Sequence, residues 1–517
     1  MTKSSPSVGF VSLGCPKNLV DSEVMMGLLD RAGAHLTPRP EEAEILVVNT
    51  CSFIDAAKQE SVDAILEMVR YKSQGRARKL IVAGCLVERY RDEIRKNIPE
   101  IDAIVGTGEL ESILSAAGLA PEPATAPPSP FNILTAVHAH TRTDQESLSG
   151  THKSSSAATT LVQNENGPKG RPEALARESH GRFRRDSWHG ASHLLPTYLY
   201  DHTTPRLIST PHASAYIKIA EGCDHPCSFC IIPNLRGHFR SRRFESIVAE
   251  AEQLVARGIR EITLIGQDTT CYGEDLGLRD GLAALLDALA RIDGLRWLRF
   301  LYAYPNRITG KLLSTIAAHS NVCKYLDLPL QHASPAVLKR MKRGASAEIF
   351  LRTLSKIRAA VPGIALRTSF IVGFPGETAA HFTELEDFIR EAQFDWLGVF
   401  SYSDEDGSAA HSLDGKIPLR TIESRRRRLM RLQQSVSRRA KQNWIGRDVT
   451  LLAEGPSAET PLLWEGRTEF HAPEIDGKVF INDFGPIESP SPGRFYRALI
   501  TEAHDYDLVA RILAAED

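Results

Sequence analysis

Three apolar runs near the start of the chain each end in a cysteine: VGFVSLGC at Cys15, ILVVNTC at Cys51 and KLIVAGC at Cys85. Between them lie DSEVMMGLLDRAG and DAAKQESVDAILEMVRYK, whose apolar residues recur at helical spacing. Continuous Val/Ile/Leu runs separated by helices predict parallel strands buried on both faces. Ligands gather beyond the C-terminal ends of such strands. The cysteines recur at intervals of 36 and 34 residues, about one βα unit each. One cysteine ending a strand reads as a small buried hydrophobe. Three in phase predict thiols that converge.

A second alternation occupies 209–442. The strands read as AYIKIAEG, EITLIG, LRFLYA, YLDLPL, LRTSFIVG and WLGVFSYS, with helical patterns such as RFESIVAEAEQLVARG between them. Six βα units predict a parallel partial (β/α)6 barrel with its site at the strand C-termini. Its last segment, PLRTIESRRRRLMRLQQSVSRRAKQNWIG, is a strongly basic helix that reads either as a solvated face or as a binding surface. Over 443–513, short strand-like runs (DVTLLAE, GKVFIND, FYRALITEA) alternate with Gly/Pro turns and predict a small antiparallel β-barrel. Residues 121–208 are rich in Pro, Ser, Ala and Thr without sustained period, as a disordered insertion or linker would be. The expected class is therefore α/β: an N-terminal parallel α/β domain over 6–120, the insertion, the barrel, and the β-barrel.

Composition narrows the chemistry. A chain of 517 residues is long enough for about three domains. Its net charge of −2 gives no global pull toward nucleic acid or membrane, so any charge argument is regional. No apolar run approaches the ~18 residues of a membrane span, and Cys15 and Pro16 interrupt the only candidate signal-peptide core. The expected location is the cytoplasm, where crowded cysteines suggest metal rather than disulfides.

The stretch EGCDHPCSFC crowds Cys223, Cys227 and Cys230 just after the first barrel strand, where a site is expected. Zinc completed by His225 or a distant group is one reading of three thiolates. The other is a 4Fe–4S cluster with one iron left open, able to bind S-adenosylmethionine and pass an electron to its sulfonium. CDHPCSFC resembles the motif of radical S-adenosylmethionine (SAM) enzymes, and with Cys15, Cys51 and Cys85 the chain resembles a methylthiotransferase. That resemblance implies a radical-SAM barrel, a second 4Fe–4S cluster on the N-terminal domain and a C-terminal TRAM β-barrel. LGCPKNLVDSE resembles the ribosomal-protein branch (RimO type) rather than the transfer-RNA branch (MiaB type), which typically has Gln-Met-Asn where this chain has Pro16, Lys17 and Asn18.

The family implies two metal sites, Cys15/Cys51/Cys85 and Cys223/Cys227/Cys230, the second catalytic. One SAM methylates a sulfur at the N-terminal cluster. Cleavage of another yields a radical that abstracts hydrogen from the β-carbon of an aspartate in ribosomal protein S12, and the methylthio group follows. Implied partners are that basic protein, free or on the small subunit, an electron donor such as flavodoxin or ferredoxin, and a sulfur donor. Neither membrane nor nucleic acid is the main partner. The alternatives are tRNA methylthiolation and a non-catalytic iron–sulfur redox protein.

Candidates for holding SAM lie at the barrel strand ends: Gln267 and Asp268, Gln331 and His332, and the GFPGE turn with Gly373, Gly376 and Glu377. Cys271 and Cys323 read as ordinary thiols. From 443 to the end of the chain, six Lys/Arg stand against fourteen Asp/Glu, a net of −8. That sign repels phosphate and attracts a basic protein.

Overall fold

A computed structural model describes residues 5–119, 197–211, 213–458, 460 and 462–516. The N-terminal strands are β1 (Ser7–Ser12), β2 (His35–Thr37), β3 (Ile45–Thr50), β4 (Lys79–Gly84) and β5 (Ala103–Val105). They form one parallel sheet in the order β2-β1-β3-β4-β5. Every residue of β3 is buried, because helices cover both faces of a parallel sheet. The order matters for function: β1, β3 and β4, which precede the three cysteines, are neighbours.

The second unit of architecture is built on β6 (Ser214–Lys218), β9 (Glu261–Ile265), β10 (Trp297–Phe300), β11 (Tyr325–Gln331), β12 (Ala365–Val372) and β13 (Trp396–Ser401). These six are the strands read from the sequence. They pair in parallel as β10-β9-β6 and β11-β12-β13, and a single parallel bridge from Leu298 to Val322 joins the two halves. A short antiparallel ribbon, β7 (Ala220–Glu221) with β8 (Arg240–Ser241), brackets the cysteine loop. Ile217, Leu264, Leu298, Leu326, Leu366 and the helical Leu285 and Leu385 belong to one continuous core.

Strands β14 (Asp448–Pro456), β15 (Trp464–Arg467), β16 (Val479–Asp483), β17 (Phe495–Ala503) and β18 (Leu508–Glu516) close into a barrel in the order β14-β15-β16-β18-β17. The antiparallel pattern expected from the hairpin-like spacing has one exception, a parallel β16–β18 pair that completes closure. The segment after β15 reaches the N-terminal ends of the large barrel's strands. There Arg299 donates to the Glu469 carbonyl (2.7 Å), Trp396 Nε1 to the Phe470 carbonyl (2.8 Å) and the Tyr325 hydroxyl to Asp476 (2.7 Å). Arg467 pairs with Glu261 at 2.6 Å, and both are buried. The small barrel therefore closes the end of the large one opposite its mouth.

The disorder expected for 121–208 falls mostly outside the described residues. Residues 197–208 are an exception: they are packed. Tyr200 is buried, Arg206 pairs with Glu23 and Glu250 at 2.6 Å each, and the Leu207 N–H donates to the Glu23 carbonyl. Composition cannot reveal such partners, because Glu23 and Glu250 are distant in sequence.

Candidate active site

Each N-terminal cysteine sits where a strand ends. Cys15 caps the helix Pro16–Arg31 after β1, Cys51 follows β3 directly, and Cys85 opens the helix Cys85–Asn97 after β4. Gly14 has φ +90, and a Cβ there would lie 3.1 Å from the Cys51 sulfur. Only a glycine lets these two loops approach so closely. The three thiols sense one another electrostatically. Burial opposes ionisation of Cys15, yet Lys17 and Arg236 hold its thiol below the ordinary value. Burial pushes the Cys85 thiol up to about 12, against the pull of Arg236.

The second triad lies on the loop leaving β7. The Cys223 N–H donates to the Gly237 carbonyl and the Cys230 N–H to the Cys227 carbonyl, each at 3.2 Å. Arg343 reaches the Cys227 sulfur at 3.5 Å. Burial raises the Cys223 thiol to about 11 and that of Cys230 to about 12. Among the described residues, His225, Asp268 and Cys271 are the only three His, Cys or carboxylate groups whose ligand atoms all lie within 4.8 Å of one another. Each triad supplies three free thiols, a donor set that fits a 4Fe–4S cluster with one iron left open.

A buried ionic network links the N-terminal triad to the barrel segment that carries the second. Arg236 ends the short helix Ile232–Arg236 that follows the barrel loop, and it is 2% exposed. It donates to Asp21 (2.9 Å), Glu221 (3.1 Å), Asn18 Oδ1 (3.3 Å) and the Cys85 sulfur (3.5 Å). Lys218 pairs with Asp21 and with Glu221, and Gln267 donates to Glu221 at 2.7 Å. Burial opposes the charge on Glu221, yet Arg236 and Lys218 hold its carboxyl far below the carboxylate range. From the other side, Lys17 enters the barrel mouth. Its Nζ lies 3.4 Å from the centre of the Tyr302 ring and donates to the Gly266 carbonyl at 3.3 Å. The N-terminal sheet therefore sits over the mouth with its cysteines turned inward.

The strand-end candidates fall into two groups. Gln267 Oε1 and His332 Nε2 are buried without a hydrogen-bond partner among the described residues. Burial lowers the His332 imidazolium to about 3, so the ring is neutral, and its Nδ1 accepts the Ser334 N–H. Gln331 holds a left-handed backbone, φ +72, uncommon for a residue with a side chain. Gln267 Oε1 thus retains unused polar capacity, while His332 Nε2 faces the Glu377 carboxylate at 3.7 Å. Asp268 is instead engaged by His225 (2.6 Å), the Thr270 N–H (2.9 Å) and the Cys271 thiol (3.0 Å). His225 also stacks on Tyr304 at 4.0 Å, so Asp268 fixes the cysteine loop. Glu377 accepts from the Gly373 N–H (2.6 Å) and Arg425 (2.7 Å), which closes the turn containing Gly376. Asn18, Asp21, Lys218, Glu221, Arg236 and Arg343 carried no spacing signal. They become visible only when distant segments meet.

Two cysteine triads, one on a parallel sheet and one on a partial barrel, fit the class that the family matches show: the chain is a radical SAM methylthiotransferase, an enzyme of SAM and 4Fe–4S clusters. Residues 7–106 match the family model described as uncharacterized protein family UPF0004, 217–389 the radical SAM superfamily and 445–513 the TRAM domain. The "Ribosomal protein uS12 methylthiotransferase RimO" of Koribacter versatilis is 62% identical over 506 residues, covering 98% of this chain and 96% of that protein. The protein so named from Solibacter usitatus is 54% identical over 509 residues, covering 98% and 95%. The chain belongs to the RimO methylthiotransferase family.

Proposed function

We propose that this enzyme transfers a methylthio group to the β-carbon of an aspartate in ribosomal protein uS12, in the cytoplasm. The observation that carries the reading is Arg236: it directly follows the barrel's cysteine loop and touches Cys85 of the other triad. That contact supports a reading in which the two sites face one cavity, as transfer between them requires. Cys223, Cys227 and Cys230 would hold the cluster that cleaves SAM, and Cys15, Cys51 and Cys85 the one that carries the sulfur. A cluster with an open iron supplies one-electron cleavage of SAM.

The chain's own residues do the rest. Arg236, Lys17 and Arg343 offset the negative charge that three thiolates bring to a buried site. Gln267 and His332 offer an acceptor and an Nε2–H donor to SAM, beside Gln331, while Asp268, Gly373, Gly376 and Glu377 shape the rim. Lys17 and the helix Pro16–Arg31 limit water at the mouth. On this reading 6–120 carries the auxiliary cluster, 209–442 the SAM chemistry and 443–513 the contact with substrate. An electron donor of the flavodoxin or ferredoxin kind and a separate sulfur donor complete the system.

Mass spectrometry of uS12 and of tRNA from a strain lacking the gene tests this. Loss of 46 Da (roughly, the mass of an added SCH2 unit) from an aspartyl peptide of uS12, with tRNA unchanged, is expected. Loss from tRNA alone would overturn the reading.

A further inference from the structure

The helix Leu419–Gln442 carries nine Lys/Arg and one Asp/Glu. Its apolar side is spent within the protein: Ile422, Leu429 and Val436 are buried, and Gln433 donates to the Phe394 carbonyl. At 100° per residue, Arg420, Arg427, Arg431 and Arg438 fall within about 40° of arc on the opposite side. All four are exposed. They make a straight cationic line of about 27 Å, 18 residues at 1.5 Å each. Ser424, Gln434, Ser435 and Gln442 flank them, together with Glu423, whose carboxylate is held by Arg426 and Ser401, and no large apolar side chain interrupts that face. Among the described residues, Arg420, Arg427 and Arg431 have no carboxylate within salt-bridge distance, while Arg438 pairs with Asp505 and stays 64% exposed.

The line has a direction. It starts beside the Gly373–Glu377 turn at the barrel mouth, where Arg425 pairs with Glu377. It ends at the small β-barrel, through Arg438 and Asp505. We propose that this helix docks on the phosphate backbone of small-subunit ribosomal RNA, so that the enzyme meets its basic substrate protein in the RNA-bound state. The proposal rests on the uS12 reading for its biological meaning.

Charge and chemistry select this occupant. Arginine is the side chain that grips phosphate bidentately, and Ser and Gln hydroxyls and amides commonly add phosphate contacts. A membrane-surface helix needs an apolar face free to enter lipid, and here that face is buried. The helix is cationic where the neighbouring small β-barrel exposes the carboxylates of Asp483, Glu488 and Glu502. One enzyme presenting both signs side by side matches a particle in which a basic protein is seated in RNA.

The test uses full-length enzyme and a variant, R420Q/R427Q/R431Q/R438Q, whose changes are all at exposed positions. Binding to purified small-subunit RNA is measured between 50 and 200 mM salt, and methylthiolation on small subunits and on free uS12. The variant should bind RNA at least tenfold more weakly. Its slope of log K against log salt should be shallower by about 3, since each lost phosphate contact removes roughly 0.7–0.9. Its kcat/KM should fall about tenfold on small subunits and stay unchanged on free uS12, as should SAM cleavage without substrate. Unchanged RNA binding, equal losses on free uS12, or preferential binding to phosphatidylserine vesicles would overturn the proposal. If wild-type enzyme modifies uS12 in neither form, the uS12 reading fails, and the RNA-binding comparison still decides this one.

Discussion

Arg236, carried by the barrel, donates across 3.5 Å to the sulfur of Cys85, carried by the N-terminal sheet, while also pairing with Asp21 and Glu221. One guanidinium thus belongs to both halves of the site. Replacing Arg236 by Met leaves two buried carboxylates with Lys218 as their remaining cation. Removing one partner of such a network costs about 3–5 kcal/mol. Urea denaturation of the metal-free protein should show a loss of about 3 kcal/mol, with Lys restoring part of it. In the cluster-loaded protein, the N-terminal cluster should become harder to reduce, because a hydrogen bond and a positive charge near its sulfur are gone. An unchanged potential together with unchanged stability would contradict this role.

The two triads should be separable. Replacing Cys223, Cys227 and Cys230 by Ala should abolish SAM cleavage and leave about four irons per chain, one cluster's worth. Replacing Cys15, Cys51 and Cys85 should leave the same iron content and preserve cleavage to 5′-deoxyadenosine, yet stop methylthio transfer. Iron analysis and product chromatography on the anaerobically reconstituted variants decide the matter. About four irons in the wild type would refute a two-cluster enzyme.

Lys441 supplies a pH signature far from the clusters. It lies 3.6 Å above the Trp396 ring, where the basic helix meets both barrels, and burial lowers its ammonium to about 8 against Asp395, Asp476 and Asp507. In the unfolded chain a lysine titrates near 10.4. Between about pH 8 and 10.4 the unfolded chain therefore holds the extra proton, and stability rises with pH. The gain is about 1–3 kcal/mol across that window. Lys441→Met should flatten this rise, seen as a shrinking difference between the two proteins' urea midpoints from pH 8 to pH 10. A parallel pair of curves would rule the assignment out.

Strands and cysteine positions were legible in the sequence because they are local. A buried parallel strand announces itself by a run such as ILVVNT, and Cys51 is read at its end without knowing the fold. Arg236, Glu221 and Asp21 were illegible because their meaning is pairwise: each looks like an ordinary surface charge until the barrel and sheet meet. The same blindness affects charge counting. Glu469 contributes to the −8 of the C-terminal segment, but its carboxylate accepts the Lys324 N–H. Asp476 is held by Tyr325 and Arg367. A sum over residues cannot tell a docking carboxylate from one facing solvent.

Some carboxylates of the small β-barrel face solvent, although Asp483 lies 4.0 Å from Arg511 and Glu502 3.8 Å from His504. Asp483, Glu488 and Glu502 are exposed on the small β-barrel, away from the Glu469 and Asp476 contacts that seat it. If the acidic field of this barrel draws in the basic uS12, then changing these three to Lys should raise KM for free uS12 several-fold at low salt. It should leave kcat and substrate-free SAM cleavage unchanged, since nothing in the mouth is altered. The defect should shrink toward high ionic strength, where the Debye length falls to about 3 Å at 1 M salt and the wild type loses the same attraction. Steady-state kinetics over a salt series separate this from misfolding, which salt would not relieve. A KM equal to that of the wild type at low salt would show that the acidic surface serves solubility and that recognition lies elsewhere.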